Sequence, residues 1–162
     1  MSVKDSFAEF EWTSVLLGPG RAGLAVVAAA PSGITGVIAE LGAMGQVIRE
    51  LVGHSAKTPL LQAIADDLQQ ATPPEGARAQ ARSFPEVRDE ALQGVRQAMW
   101  LVRAKTSPED VQAYGELLLA AATRTAEAAK EGGFLGFGGV QVNDAERATI
   151  AEIKALVRPE EG

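Results

Sequence analysis

The chain has 162 residues, enough for one domain with its own core, and 46% hydrophobic with 22% charged content is the balance of a folded protein rather than a disordered one. It contains no cysteine, which excludes disulfides, zinc–thiolate sites, iron–sulfur clusters and thiol nucleophiles. The net charge is −6, the 15 lysines and arginines are scattered, and Arg78 with Arg82 makes only a weak patch, so no nucleic-acid or anionic-lipid partner is expected.

The opening "MSVKDSFAEFEW" places Asp5, Glu9 and Glu11 where a secretory signal needs a basic start and an unbroken apolar run. No signal peptide is predicted, and a cytoplasmic setting is the default expectation. The reading is of a single helical domain over residues 1–162, with residues 1–6 and 158–162 as flexible ends. A first helix is predicted from Trp12 to Ala30, broken or kinked at Gly18-Pro19-Gly20 because proline lacks the N–H an interior helical position needs. The uncharged run from Ala22 to Ala39 approaches the length of a membrane span. Its central Pro-Ser-Gly and its many alanines and glycines instead indicate two buried helices meeting at a corner. The second of these runs from about Gly33 to Val52, where Ile34, Val37, Ile38, Leu41, Met44, Ile48 and Leu51 recur at helical steps. Ala39, Gly42, Ala43 and Gly45 on its other flanks predict a close neighbouring backbone, with the alanine-rich first helix as the natural partner.

Thr58-Pro59 reads as a cap and first helical residue, followed by a short amphipathic helix with Leu60, Leu61, Ile64 and Leu68 inward. "TPPEGA" follows as a linker. Val87, Ala91, Val95, Ala98 and Val102 mark the buried face of a helix from about Pro85 to Lys105, with Met99 and Trp100 adding bulk beside it. "SPED" at Ser107 to Asp110 starts the next helix, which turns Val111, Tyr114, Leu118, Ala121, Thr125 and Ala129 inward. Asn143 caps a last helix in which Ile150, Ile153 and Val157 face the core. No stretch shows the alternation of a strand, so the predicted fold class is all-α, a compact bundle of about six helices.

Between the last two helices lies "EGGFLGFGGVQVND", residues 131–144. It lacks the Gly-Lys-Ser/Thr ending of a phosphate loop and follows a helix where a dinucleotide loop follows a strand. Its aromatics are flanked by Glu131 and Asp144 rather than by the basic residues usual at a membrane anchor, which makes membrane association the weaker expectation. The preferred reading is structural. Gly132 or Gly133 caps the preceding helix, Gly138-Gly139 reverses the chain, and Phe134, Leu135 and Phe137 form a lid on the core or, exposed, a partner contact.

The long helix, the glycine turn and the acidic start of "NDAERATIAEIKAL" resemble the TerB-like family of small helical proteins associated with tellurite resistance. "AVVAAAPSGITGVIAELGAM" is similar to a degenerate copy of the same helix-turn-helix. The resemblance covers about a third of the chain. It implies a metal-binding set of acidic residues after the turns, which here corresponds to Asp144 and Glu146 beside Asn143; the first half has Ser32, Gly33 and Thr35 instead.

Other chemistry is sparse. His54 and Glu50 could share a helical face and hold a metal if Gly53 does not end the helix first. Glu127 and Glu131 lie one turn apart without the Glu-x-x-His pairs of a di-iron bundle, and "GHS" is no nucleophile elbow. Trp12, Trp100 and Tyr114 are too dispersed for a base-stacking platform. No catalytic residue and no cofactor are assigned. The functional expectation is a non-enzymatic helical adaptor or assembly protein that meets a protein partner or a second copy; the alternative is a small-molecule- or metal-responsive stress protein of TerB-like type.

Overall fold

The computed structural model describes residues 3–29, 48–54, 58–70, 84–131 and 144–158. Their regular structure is a 3-10 turn at Val3–Ser6 followed by α1 (Glu9–Ala29), α2 (Pro59–Gln70), α3 (Phe84–Lys105), α4 (Pro108–Glu131) and α5 (Asp144–Val157). A further helical stretch covers 48–54. The chain is an all-α bundle. Phe134, Leu135 and Phe137, the "TPPEGA" linker and most of the second predicted helix lie outside the described residues.

Helix α1 is the hub, packed against α3, α4 and α5. Its Ala22, Ala25 and Ala28 are buried, as are Ala91 and Ala98 of α3, and such short side chains let two helix axes come close. Among the described residues the small-residue face of α1 therefore meets α3 and α4. The two helices α1 and α3 run antiparallel: Lys105 at the end of α3 lies 2.6 Å from Glu11 at the start of α1, and ten residues further along α1 the Arg21 side chain crosses Gly94. A β-carbon at Gly94 would overlap the Arg21 stem. Val15, Leu60, Ile64, Val95, Leu118 and Ile153 are fully covered in the interior, each stabilising the fold by about 1.5–3 kcal/mol relative to an exposed position.

Contrary to the sequence expectation, Pro19 does not break the first helix. Glu9–Ala29 is continuous with Pro19 inside it and buried. Proline at position 19 removes the N–H that would pair with the carbonyl of residue 15, and an unpaired interior carbonyl costs about 1–3 kcal/mol. Here the Tyr114 hydroxyl of α4 donates to that Val15 carbonyl at 2.6 Å. Gly18 makes room, because a β-carbon there would overlap the Tyr114 hydroxyl. Gly18 and Pro19 form the socket for a buried tyrosine.

The caps predicted at Thr58 and Ser107 are present, while those at Gly132 or Gly133 and at Asn143 lie outside the described residues. Leu61 donates its N–H to Thr58 Oγ1 at 3.3 Å at the start of α2. Asp110 N–H reaches the Ser107 hydroxyl at 3.2 Å, while that hydroxyl faces Asp110 Oδ2 at the same distance. Asp110 is itself buried and accepts the Leu60 N–H through Oδ1 at 3.1 Å. One carboxylate thus serves the N-termini of two helices, where the macrodipole favours negative charge.

Val3–Ser6, within the stretch expected to be a flexible end, is fastened to the bundle instead. Lys4 pairs with Asp67 of α2 at 2.7 Å, and Lys105 donates to the Ser6 carbonyl at 3.1 Å. At the other end, the Arg158 carbonyl accepts from Arg103 at 2.6 Å.

Candidate functional site

Among the described residues most large apolar side chains are covered, and three stand out as exceptions. Among the described residues Phe10, Leu17 and Trp100 stand exposed, at 69%, 47% and 66%. Phe10 and Leu17 are seven residues apart on α1, two turns along one face. Trp100 is two positions from both Ala98 and Val102, which are buried. A two-residue step is 200° of helix rotation, so the indole projects from the face of α3 opposite its core stripe. The sequence reading placed Trp100 beside that stripe; its phase puts it outside.

Phe10 and Leu17 share the outer face of α1, and Trp100 stands on the outer face of α3. The antiparallel contacts at Glu11–Lys105 and Arg21–Gly94 fix the register of α1 against α3. Tyr114 of α4 meets α1 at Val15, and Thr149 and Glu152 of α5 meet α3 through Arg88. In this register Trp100 falls level with residues 15–16 of α1, nearer Leu17 than Phe10.

The surroundings of the three side chains mix neutral and cationic groups, for Arg96 is exposed one turn before Trp100 and Arg21 half-buried one turn after Leu17. Thr13 is exposed and Ser14 half-buried on α1; Gln93, Gln97 and Ala104 are exposed on α3. Thr13 donates its hydroxyl to the Glu9 carbonyl at 2.9 Å, and Ser14 donates to the Phe10 carbonyl at 3.1 Å. Their polar hydrogens are thereby turned back onto the helix, and the α1 part of the surface is more apolar than its residue names suggest.

A second cluster lies at the base of α1. Trp12 donates its indole N–H to Asp67 Oδ2 at 2.7 Å. Lys4, hydrogen-bonded to the same oxygen, holds the Asp67 carboxyl below the usual carboxylate range against the opposing effect of burial, with Trp12 adding to the lowering. Lys105 does the same for Glu11, helped by the Ala8 N–H. Both lysines also lie over aromatic rings, Lys4 at 5.9 Å from the Trp12 centroid and Lys105 at 5.8 Å from that of Phe7. An open depression of about 460 Å³ beside this cluster is lined by Lys4, Asp5, Phe7, Glu9, Trp12 and Thr13. Its lysine is already paired within the chain, so the cluster acts as a fastening for the N-terminal turn.

The sequence-predicted site residues are dispersed. Asp144 is fully exposed at the first residue of α5, 3.9 Å from Arg147, and Glu146 is half-buried two positions on, a spacing that points the two carboxylates to different sides of the helix. The helix does continue through Gly53, which leaves Glu50 and His54 on one exposed face. Among the described residues no three His, Cys, Asp or Glu side chains gather in a metal-binding group. No described helix is long and apolar enough to cross a membrane. No buried side-chain nitrogen or oxygen among the described residues lacks a hydrogen-bond partner.

No family model, no curated protein and no solved structure matches this chain. The resemblance to the TerB-like family therefore rests on the residues quoted for it alone.

Proposed function

We propose that this protein is a non-enzymatic helical adaptor or assembly subunit, acting in the cytoplasm, whose working part is the outer face of α1 and α3. The observation that supports this reading most is the exposure of Phe10 and Leu17 on one face of α1 and of Trp100 on the outer face of α3. Large apolar side chains left exposed on a bundle are a usual mark of a protein contact, and aromatic residues supply much of the binding energy in such contacts. The interior has a different task. Its buried Tyr114 and Asp110 join helices, Thr149 accepts from Arg88 of α3, and Thr125 bonds back to its own helix.

The test is photocrosslinking in cells with a benzoylphenylalanine placed at Gln97, beside Trp100, and, as a control, at Gln112 on the exposed side of α4. The reading expects a discrete adduct from position 97 that is lost when Trp100 and Leu17 are both changed to serine, and none from position 112. Adducts of equal yield from both positions, or none from position 97, would count against it.

A further inference from the structure

Helix α2 is fixed to the bundle differently at its two ends, and the difference makes one end releasable. We infer that the 3-10 turn at Val3–Ser6 is a latch on α2: Lys4 and Trp12 hold Asp67, and loss of that grip lets the C-terminal half of α2 leave the bundle while the other helices stay in place. This goes beyond the reading of the outer face of α1 and α3 and does not depend on it.

The apolar grip on α2 lies in its first half. Leu60, Leu61, Ile64 and Ala65 are buried. From Asp66 to Gln70 no side chain is buried: Asp67 and Leu68 are half-covered, and Asp66, Gln69 and Gln70 are exposed. Of the other named elements, α4 and the 3-10 turn are the ones that pack most against α2.

The polar bonds follow the same division. At the N-terminal end the Leu60 N–H donates to Oδ1 of the buried Asp110 of α4 at 3.1 Å, which serves as the hinge. Near the C-terminal end, the hydrogen bonds that tie α2 to another element meet on one atom among the described residues. Asp67 Oδ2 accepts from Lys4 Nζ at 2.7 Å and from Trp12 Nε1 at 2.7 Å. Its neighbour Asp66 bonds within α2, to Gln62.

The grip on Asp67 depends on charge more than on apolar contact. The Lys4 and Asp67 side chains are 50% and 27% exposed, so water competes for the pair and weakens it relative to a buried one. Lys4 Nζ also lies over the Trp12 ring, and neutralising this one lysine removes the ion pair and the cation above the ring together. The turn itself keeps a separate hold, because Lys105 donates to the Ser6 carbonyl at 3.1 Å and the next residue, Phe7, is buried. The joint that opens is therefore the one between the turn and α2. A 12-residue helix has little stability of its own, so once unlatched its second half has little to keep it in place.

Spin labels on cysteines introduced at Gln69 of α2 and Glu116 of α4, both exposed, test the latch in the full chain, which has no cysteine of its own. In the labelled parent one distance should dominate. Lys4→Gln and Asp67→Ala should each add a second, longer distance, with the open fraction raised about tenfold by loss of a partly exposed charge-assisted hydrogen bond and helical circular dichroism nearly unchanged. Lys4→Arg, which keeps the charge, should give the parent distribution. The inference is overturned if Lys4→Gln and Asp67→Ala both keep the parent distribution, or if Lys4→Arg opens as far as Lys4→Gln. Should Asp67→Ala fail to fold, the milder Lys4→Gln decides; a spread of distances there with general loss of helix also overturns the inference, since α2 then has no motion separate from the bundle.

Discussion

The Tyr114 hydroxyl donates a 2.6 Å hydrogen bond to the Val15 carbonyl, the acceptor that Pro19 leaves without its helical partner. A proline, a glycine and a tyrosine from two helices thus form a single unit, and their effects on stability are coupled. Tyr114→Phe strands a buried carbonyl and should cost about 1–3 kcal/mol. In a Pro19→Ala background the restored N–H can close the helical bond to Val15, so the same Tyr114→Phe change should cost less. Gly18→Ala should be destabilising beside Tyr114 because its new methyl meets the tyrosine hydroxyl. Chemical denaturation of the single and double variants checks this; strictly additive effects would show that the three residues act independently.

The same tyrosine links stability to alkaline pH. Burial pushes the Tyr114 phenol well above its ordinary value of 10.0. A raised folded-state value means that the native state disfavours tyrosinate. The contribution to stability is present below the unfolded value and is lost as pH rises through the folded one. Tyr114 is the only tyrosine in the chain, so tyrosinate absorbance reports on it alone. Tyrosinate should form only together with loss of helical circular dichroism; ionisation with the helices intact would contradict the burial.

At the other end of the scale, Asp67 and Glu11 have lowered carboxyl values through their bonds to Lys4 and Lys105. Their contributions are therefore present above the ordinary carboxylate range, about 4, and are lost as pH falls through the lower folded values. Acid should release the 3-10 turn and α1's first residues before the core opens. In a Trp100→Phe variant, Trp12 fluorescence should change in this range while helical circular dichroism is retained. Asp67→Asn should bring much of that change about at neutral pH.

Asp110 offers a test of the shared cap. Asp110→Ala removes an acceptor from the start of α2 and from the Ser107 turn at once, with an expected cost of about 2–3 kcal/mol. Thr58→Ala, which touches α2 alone, should cost about 1 kcal/mol. Equal costs for the two would mean that the buried carboxylate does no more than an ordinary cap.

The helices were legible in the sequence because their apolar spacing, Thr58-Pro59 and Ser107-Pro108 are local signals, and α2 to α5 follow them closely. Pro19 was not, since the group that replaces its missing hydrogen bond is 95 positions away at Tyr114, and no local rule pairs them. Trp100 was misplaced for a related reason: large apolar residues beside a buried stripe are normally counted into it, and only the 200° steps to Ala98 and Val102 put it on the opposite face. The double use of Asp110 was hidden in the same way, for "SPED" announces a cap on its own helix and says nothing of Leu60. The candidate surface itself could be read only in part. Exposure of Phe10 and Leu17 depends on which side of α1 the rest of the chain covers.

Hydroxyl-radical footprinting, read at individual residues for the purified dilute chain and for the chain inside cells, tests most directly whether the outer face of α1 and α3 is where this protein makes contact. Phe10, Leu17 and Trp100 should be modified readily in the purified chain and become protected in cells, while Trp12 stays slow in both. Equal modification of Trp100 in both settings, or protection appearing instead on the exposed side of α4, would contradict it.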